Sequence, residues 1–174
     1  MYQLRCTKKV QDLLNVKPSD LAEPTAENFA LGCWYVNTFT QNRKKCLLFV
    51  EESTLMSFVL TGFRKEHIKN FPLIFKAGLL QLLRLEKIPT EIISSYESGT
   101  EDLIITKTLS KKTLGNMNDL LSLYQHFISY DGGLEYCDLD QITMRANRTP
   151  QRNLEWSFSV EALHKRLLTN ITNN

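Results

Sequence analysis

The chain opens with the stretch LRCTKKVQDLL, from Leu4 to Leu14, which predicts a short strand running into a helix. Val10, Leu13 and Leu14 recur at the spacing i, i+3 and i+4, and this spacing gives the helix one apolar face. Thr7 stands at the position of an N-cap, where its hydroxyl can accept a hydrogen bond from a free amide of the first turn. We therefore expect the helix to begin directly after Thr7.

Two lysines, Lys8 and Lys9, then occupy the first turn of this helix. A helix N-terminus carries about half a positive charge, so cations are unfavourable there. A bound anion would offset this effect, because the free amides of a first turn bind phosphate and carboxylate groups. The opening stretch therefore predicts an anion site, with Arg5 beside it.

The composition is typical of a globular protein whose charge is unevenly distributed. The 174 residues are 43% hydrophobic and 23% charged, and their net charge of +2 does not indicate wholesale nucleic-acid binding. Basic residues outnumber acidic ones by seven to four in residues 1–50 and by five to two in residues 141–174. Residues 117–140 contain five acidic residues and no lysine or arginine. This distribution allows a polarised surface.

The cysteine pattern and the hydropathy both indicate a cytoplasmic protein. The cysteines show no CxxC and no metal-ligand spacing, which favours reduced thiols and predicts no metal site. No run of about 18 apolar residues and no apolar leader is present, so neither a membrane span nor a signal peptide is expected. Neither GxxxxGK[ST] nor GxGxxG occurs, so no cofactor is predicted. The four cysteines are Cys6, Cys33, Cys46 and Cys137.

Four later runs of β-branched and aromatic residues predict strands. Leu31 to Thr40, Lys45 to Val50 and Thr54 to Leu60 follow one another across short polar turns, which indicates an antiparallel meander. The third run could instead begin a helix. Glu101 to Thr106 predicts a further strand.

Helical periodicity dominates the rest of the chain. Residues 65–87 are predicted to be helical, and between Leu73 and Leu85 only Lys76, Gln81 and Arg84 form a polar strip. Pro72 either kinks this helix or marks its first turn. A clear amphipathic pattern begins at Met117, and Asp138 followed by Gln141 resembles a capping box that opens a shorter helix. The sequence therefore predicts a single α+β domain over residues 1–174, with a mainly antiparallel sheet of four or five strands packed with helices.

A second basic cluster repeats the opening pattern. Lys111 and Lys112 precede the helix of Met117, with Thr113, Gly115 and Asn116 as plausible caps, and Asn118 follows. These lysines either face a bound anion or are ordinary solvated surface charge. Both interpretations remain open on the sequence alone.

Arginines elsewhere extend the candidate site. Arg43 and Lys44 lie in a predicted hairpin turn, and Arg148 lies near a helix end. If the first strands are neighbours, Arg5, Lys8 and Arg43 converge. Arginine suits bidentate recognition of phosphate, whereas lysine acts as a point charge. We therefore expect an anion to bind at Arg5, Lys8, Lys9, Arg43, Lys44, Lys111, Lys112, Asn118 and Arg148.

The aromatic and histidine residues give weaker signals. Trp34, Tyr35 and Phe39 offer a stacking surface for bases, although aromatic residues of a strand more often belong to the core. The three histidines lie in different predicted helices, and no general acid and base pair can be named. An enzyme acting on a phosphate-containing substrate through Asn118, Asp119 or His126 is one alternative function. A protein-interaction module that uses the acidic residues 117–140 is another.

Four segments resemble the landmarks of a known family. They read LRCTKKVQDLL at residues 4–14, WYVNTFTQNRKKCLLFVEESTL at 34–55, LGNMND at 114–119 and NRTP at 147–150. In this order they resemble a domain-of-unknown-function family of uncharacterised bacterial proteins, some of them encoded on plasmids or mobile elements. The resemblance implies no activity, but its landmarks coincide with the basic turns and helix starts. The leading hypothesis is a non-enzymatic protein with a basic face for nucleic acid or a nucleotide.

Overall fold

The protein folds as a five-stranded mixed sheet with helices on both faces. The computed structural model describes residues 1–25, 30–99 and 102–169. The strands are β1 (Tyr2–Cys6), β2 (Cys33–Gln41), β3 (Lys44–Glu51), β4 (Ser57–Thr61) and β5 (Leu103–Lys107). The α-helices are α1 (Lys8–Leu13), α2 (Phe71–Leu85), α3 (Thr90–Ser98), α4 (Lys111–Tyr130), α5 (Leu139–Asn147) and α6 (Ser159–Thr169). The predicted α+β class is therefore confirmed. None of the described helices is both long and apolar enough to cross a membrane.

The strand order β4-β3-β2-β1-β5 corrects the predicted mainly antiparallel sheet. Strands β2, β3 and β4 form the predicted antiparallel meander. Strand β1, however, pairs in parallel with both β2 and β5, so two of the four pairings are parallel. Parallel neighbours need long crossover connections, and the chain supplies them between β1 and β2 and between β4 and β5.

Both faces of the sheet are covered by helices, which explains the continuous apolar runs in β2 and β3. On one face, α1, α2, α3 and α6 pack around a core that includes Trp34, Phe49 and Phe75. On the other face, α4 and α5 pack around a core that includes Tyr35 and Leu48. Because side chains of a strand alternate between faces, neighbouring residues of β2 enter different cores.

Several predicted boundaries shift for local reasons. Strand β4 begins at Ser57, because Thr54 lies in a turn where its amide and hydroxyl both donate to the buried Glu51 carboxylate at 2.7 Å. The predicted helix over residues 65–87 divides into a 3₁₀ turn, Lys65–Asn70, and α2, which has Pro72 in its first turn. Glu101, predicted to start a strand, lies outside the described residues.

The helix starts confirm some predicted caps and correct others. Thr7 is the N-cap residue of α1, but its hydroxyl hydrogen-bonds Asn37 Oδ1 at 3.1 Å and not a first-turn amide. Helix α4 begins at Lys111 and is capped by Ser110, whose hydroxyl accepts from the amide of Thr113. The predicted caps Thr113, Gly115 and Asn116 therefore lie inside α4. Asp138 caps α5 as predicted, accepting from the amides of Asp140 and Gln141.

Candidate anion-binding site

The hairpin between β2 and β3 turns on Asn42 and Arg43, which both have left-handed backbones with φ of 46° and 62°. Two such residues are typical of a type I′ turn, in which the second position favours glycine. A residue with a Cβ costs about 1 kcal/mol in this conformation. Arg43 therefore occupies a turn position at which glycine would be less strained.

The turn is fixed against the C-terminal end of α4. Asn42 Oδ1 accepts from the amide of Leu134 at 3.1 Å, and Gln41 Nε2 donates to the hydroxyl of Ser129 at 3.0 Å. Gly133 has φ +88°, and a Cβ there would lie only 3.0 Å from Asn42 Nδ2. The side chain of Asn42 thus needs glycine at position 133 to pack closely. These contacts hold the backbone of the turn, and therefore of Arg43, against the segment that follows α4.

A second segment reaches the same place from the end of β4. Gly62, at φ +71°, turns the chain, and the amide of Phe63 then donates to the carbonyl of Lys45 at 2.9 Å. The ring of Phe63 is buried and packs edge-on against Phe71 at 5.8 Å between centroids. These interactions hold the following residue, Arg64, beside the start of β3.

The two segments enclose a basic pocket of about 410 Å³. Four of its lining residues are cations and none is acidic. Glu66 lies 3.8 Å from Arg64, but both side chains are largely exposed, so this ion pair contributes little. The lining residues, called the basic pocket from here on, are Arg43, Lys44, Lys45, Thr61, Gly62, Phe63 and Arg64.

The chemistry of the basic pocket suits an oxyanion. Two guanidinium groups can each form paired hydrogen bonds to a phosphate or carboxylate. Lys44 and Lys45 are consecutive residues of β3, so their side chains leave opposite faces of the sheet, and the ammonium of Lys45 donates to the hydroxyl of Thr40 at 3.4 Å. Lys44 and Lys45 are exposed, and the side chain of Arg64 is 75% exposed. An interaction at such an open site is screened by salt.

The structure places Arg5 away from the basic pocket. Its guanidinium is buried and forms an ion pair with Glu52, and it hydrogen-bonds the hydroxyl of Tyr35 at 3.4 Å. Arg5 pairs with Tyr35 across β1 and β2, whereas Arg43 follows the end of β2. Strand β2 continues for six residues, roughly 20 Å, beyond Tyr35. The predicted convergence of Arg5 and Lys8 with Arg43 is therefore wrong.

The two predicted helix starts lie at the same end of the strands but on opposite faces of the sheet. Strands β1 and β5 are adjacent and parallel, with Cys6 opposite Lys107, so α1 and α4 both begin near their carboxyl ends. Helix α1 has only six residues, and Lys8 forms an ion pair with Asp12 at 2.7 Å. The other predicted lysines, which do not line the basic pocket, are exposed: Lys9, Lys111 and Lys112.

Asn118 and Arg148 have structural partners. Asn118 Oδ1 accepts from Asn37 Nδ2 at 3.5 Å, a long hydrogen bond between α4 and β2. Arg148 forms two hydrogen bonds, of 3.1 and 2.7 Å, to the two carboxylate oxygens of Glu86. The side chain of Glu86 is fully buried, so Arg148 compensates a buried charge. The structure gives Arg148 a role in the fold.

The predicted stacking aromatics are buried, whereas the candidate polar residues of α4 are exposed. Trp34, Tyr35 and Phe39 are buried, which confirms that they belong to the core. His126 and Asp119 are exposed on α4 and lie seven residues, roughly 10 Å, apart along the helix. No group of three potential metal ligands is found among the described residues.

Two of the four cations of the basic pocket, Lys45 and Arg64, are missing from the predicted set. Lys45 directly follows two predicted residues, so extending that cluster by one position would have included it. Arg64 follows Gly62 at the end of a strand of the same meander. In a three-stranded meander, the end of the third strand lies near the turn between the first two strands. This rule could have placed Arg64 beside Arg43 from the sequence.

One family comparison matches most of the chain. The model described as "Domain of unknown function (DUF6933)" matches residues 3–162, which include every residue of the basic pocket. No curated protein and no solved structure matches the chain.

Proposed function

We propose that this chain, which belongs to the DUF6933 family of domains of unknown function, binds phosphate groups of a nucleic acid or nucleotide in its basic pocket. One observation carries the proposal. Four cations from two separate segments, residues 43–45 and residue 64, line one cavity that has no acidic lining residue. Cations that line one cavity attract an anion that enters it.

The backbone of Arg43 adds a second line of support. Glycine would relieve the left-handed strain of the turn, yet an arginine occupies the position and lines the pocket. Strain that persists at a binding residue is common at functional sites. The position sets the Arg43 side chain at the tip of the hairpin, beside the cavity.

The size and openness of the basic pocket define the kind of recognition. A volume of about 410 Å³ is within the range of small-ligand sites and would admit one or two phosphate groups. Phe63, the aromatic residue of the lining, is buried, so it gives a base little stacking surface. Contacts to phosphate alone position a nucleic acid without reading its sequence. We therefore expect binding that depends on salt and little on sequence.

Three probes test the proposal: a labelled single-stranded oligonucleotide, ATP and inorganic phosphate. Affinities would be measured by fluorescence anisotropy and calorimetry at salt concentrations between about 50 mM and 200 mM. The proposal predicts that the oligonucleotide or ATP binds and that affinity falls as salt rises. Preference for the oligonucleotide would identify a nucleic-acid partner, and preference for ATP a nucleotide. Absence of binding by all three probes at low salt would overturn the proposal.

A further inference from the structure

Strand β4 lies at the edge of the sheet, and one of its residues already pairs with a side chain. The amide of Ser57 donates to Asn147 Oδ1 at 2.9 Å, and Asn147 Nδ2 donates to the carbonyl of Ser57 at 2.9 Å. The carboxamide of Asn147 therefore makes the two hydrogen bonds that a neighbouring strand would make. This pairing shows that the backbone groups of Ser57 point away from β3.

The next position on the same side of the strand is Val59. In an antiparallel ladder, the backbone groups of every second residue point to the same side, so those of Val59 also point away from β3. Within the described residues, no hydrogen bond joins the backbone of Val59 to an element outside the sheet. An edge strand with outward amides and carbonyls is a template for a further strand.

The edge at Val59 forms the floor of a groove of about 380 Å³ between α2 and α5. Phe58, Val59 and Leu60 make the floor, Ile74 and Ala77 belong to the α2 wall, and the α5 wall includes Leu139. Apart from Gln81, Asp140 and Thr143, the residues that line the groove are apolar. The floor is three residues long, so about three residues of an extended chain would pair along it.

The groove leads along β4 towards the basic pocket. Leu60 lines the groove, and the next residues, Thr61 and Gly62, line the basic pocket together with Arg64. A chain that leaves the groove at this end passes from an apolar to a positively charged surface. Charge complementarity therefore favours an occupant whose apolar segment is followed by acidic residues.

We infer that the edge of β4 binds an extended peptide segment of another protein, in which alternating apolar side chains are followed by acidic side chains. The peptide adds a strand to the sheet, with backbone hydrogen bonds to Val59 and side chains in the groove. A second copy of this chain fits less well, because its own β4 is flanked by its α2 and α5. This inference does not rest on the proposed function, although both use Arg64.

One contact between the walls must open when a peptide enters. Gln81 Nε2 on α2 donates to Asp140 Oδ2 on α5 at 3.2 Å, and both side chains are exposed. A hydrogen bond between exposed groups is cheap to replace with water. This contact is therefore no obstacle to a peptide that enters the groove.

The test uses a panel of synthetic peptides in which alternating valine and threonine residues are followed by glutamates, with valine positions varied across the panel. Val59→Pro removes the N–H of residue 59, which points away from β3, so no hydrogen bond to β3 is lost. Proline is tolerated at such positions of an edge strand. Ala77→Glu places a charge in the groove at an exposed helical position. Ser122→Glu on the exposed face of α4 is the matched control.

We expect the best peptide to lose about tenfold or more in affinity with Val59→Pro and with Ala77→Glu, and to keep its affinity with Ser122→Glu. Circular dichroism checks that each variant is folded, and Ala77→Glu remains informative if Val59→Pro is not. Failure of every peptide to bind, or equal binding by the Ala77→Glu variant, would overturn the inference.

Oligonucleotide binding distinguishes this inference from the proposed function. Arg64→Glu should weaken both ligands, whereas Ala77→Glu should weaken only the peptide. Peptide binding without binding of the oligonucleotide, ATP or inorganic phosphate would leave the inference standing and remove the proposed function. Binding of the oligonucleotide without binding of any peptide would support the proposed function and overturn the inference.

Discussion

The carbonyl of Lys45 accepts a hydrogen bond of 2.9 Å from the amide of Phe63, and this bond joins the two halves of the basic pocket. Lys45 lies at the start of β3, and Phe63 lies two residues beyond the end of β4. The bond therefore brings Arg64 to the same cavity as Arg43, although 20 residues separate the two in the sequence.

Arg43→Gly separates the stability of the turn from its binding. Glycine adopts φ +62° without strain, so we expect the free energy of unfolding to stay unchanged or to rise by up to about 1 kcal/mol. Oligonucleotide affinity should fall, because one guanidinium leaves the basic pocket. Urea denaturation and fluorescence anisotropy measure the two effects.

Lys87→Gly is the matched control for this substitution. Lys87 is also an exposed cation with a left-handed backbone, at φ +55°, but it lies outside the basic pocket. We expect a similar effect on stability and no loss of oligonucleotide affinity. Equal losses of affinity in both variants would show that only net charge matters.

Asn147→Ala should destabilise the protein strongly. Asn147 is fully buried and exchanges two hydrogen bonds of 2.9 Å with the backbone of Ser57. Alanine would leave the Ser57 amide without this partner, and the Ser57 carbonyl would keep only the hydroxyl of Tyr124, at 3.1 Å. We expect a loss of about 2–3 kcal/mol in the free energy of unfolding, measured by urea denaturation. Asn118→Ala, at an exposed site, should change it by less than about 0.5 kcal/mol. Similar effects at the two sites would contradict the role assigned to Asn147.

Arg148→Ala tests whether this arginine serves the fold or a ligand. The substitution leaves the buried carboxylate of Glu86 without its cation, so we expect a loss of about 2–3 kcal/mol in the free energy of unfolding. Adding Glu86→Gln should recover part of this loss by removing the buried charge. Oligonucleotide affinity should remain unchanged in folded Arg148→Ala protein. A fall in affinity without a loss of stability would return Arg148 to the binding site.

Alkaline pH should destabilise the fold through Tyr2. Burial raises the pKa of Tyr2 from its usual value near 10 to about 12, because the phenolate is poorly solvated beside Phe75. The neutral phenol therefore contributes stability below about pH 10, and this contribution is lost as the pH rises towards 12. In Tyr2→Phe the decline over this interval should be smaller.

Urea denaturation at several pH values measures this decline. Tyr130→Phe, at a residue that is 79% exposed, is the control and should keep the decline of the unmodified protein. Burial also raises the pKa values of Tyr124 and Cys6, so some decline remains in every variant. Identical profiles for Tyr2→Phe and the unmodified protein would contradict this assignment.

Local patterns in the sequence predict the elements better than their arrangement. The spacing of Val10 and Leu14 correctly predicts a buried helix face, and Asp138 correctly predicts the start of α5. Strand direction depends on which distant strand pairs with β1, and periodicity carries no such information. This is why the parallel pairings of β1 were not predicted.

The same distinction applies to the candidate site. Arg43 and Lys44 are adjacent in the sequence, so a basic turn is visible there, but Arg64 joins them only through the tertiary contact of Phe63. Arg148 shows the opposite error, because its partner Glu86 is 62 residues away and invisible to local reasoning. A basic residue in a sequence does not reveal whether a buried acid already neutralises it.

The most direct measurement of the central claim compares oligonucleotide affinity in Arg64→Glu and Lys9→Glu. Both substitutions change the net charge equally at exposed positions, but only Arg64 lines the basic pocket. We predict that Arg64→Glu lowers affinity at least about tenfold at low salt and reduces the slope of log K against log salt by about 1, whereas Lys9→Glu stays within about twofold of the unmodified protein. Equal effects of the two substitutions, or a larger effect of Lys9→Glu, would contradict a binding site at the basic pocket.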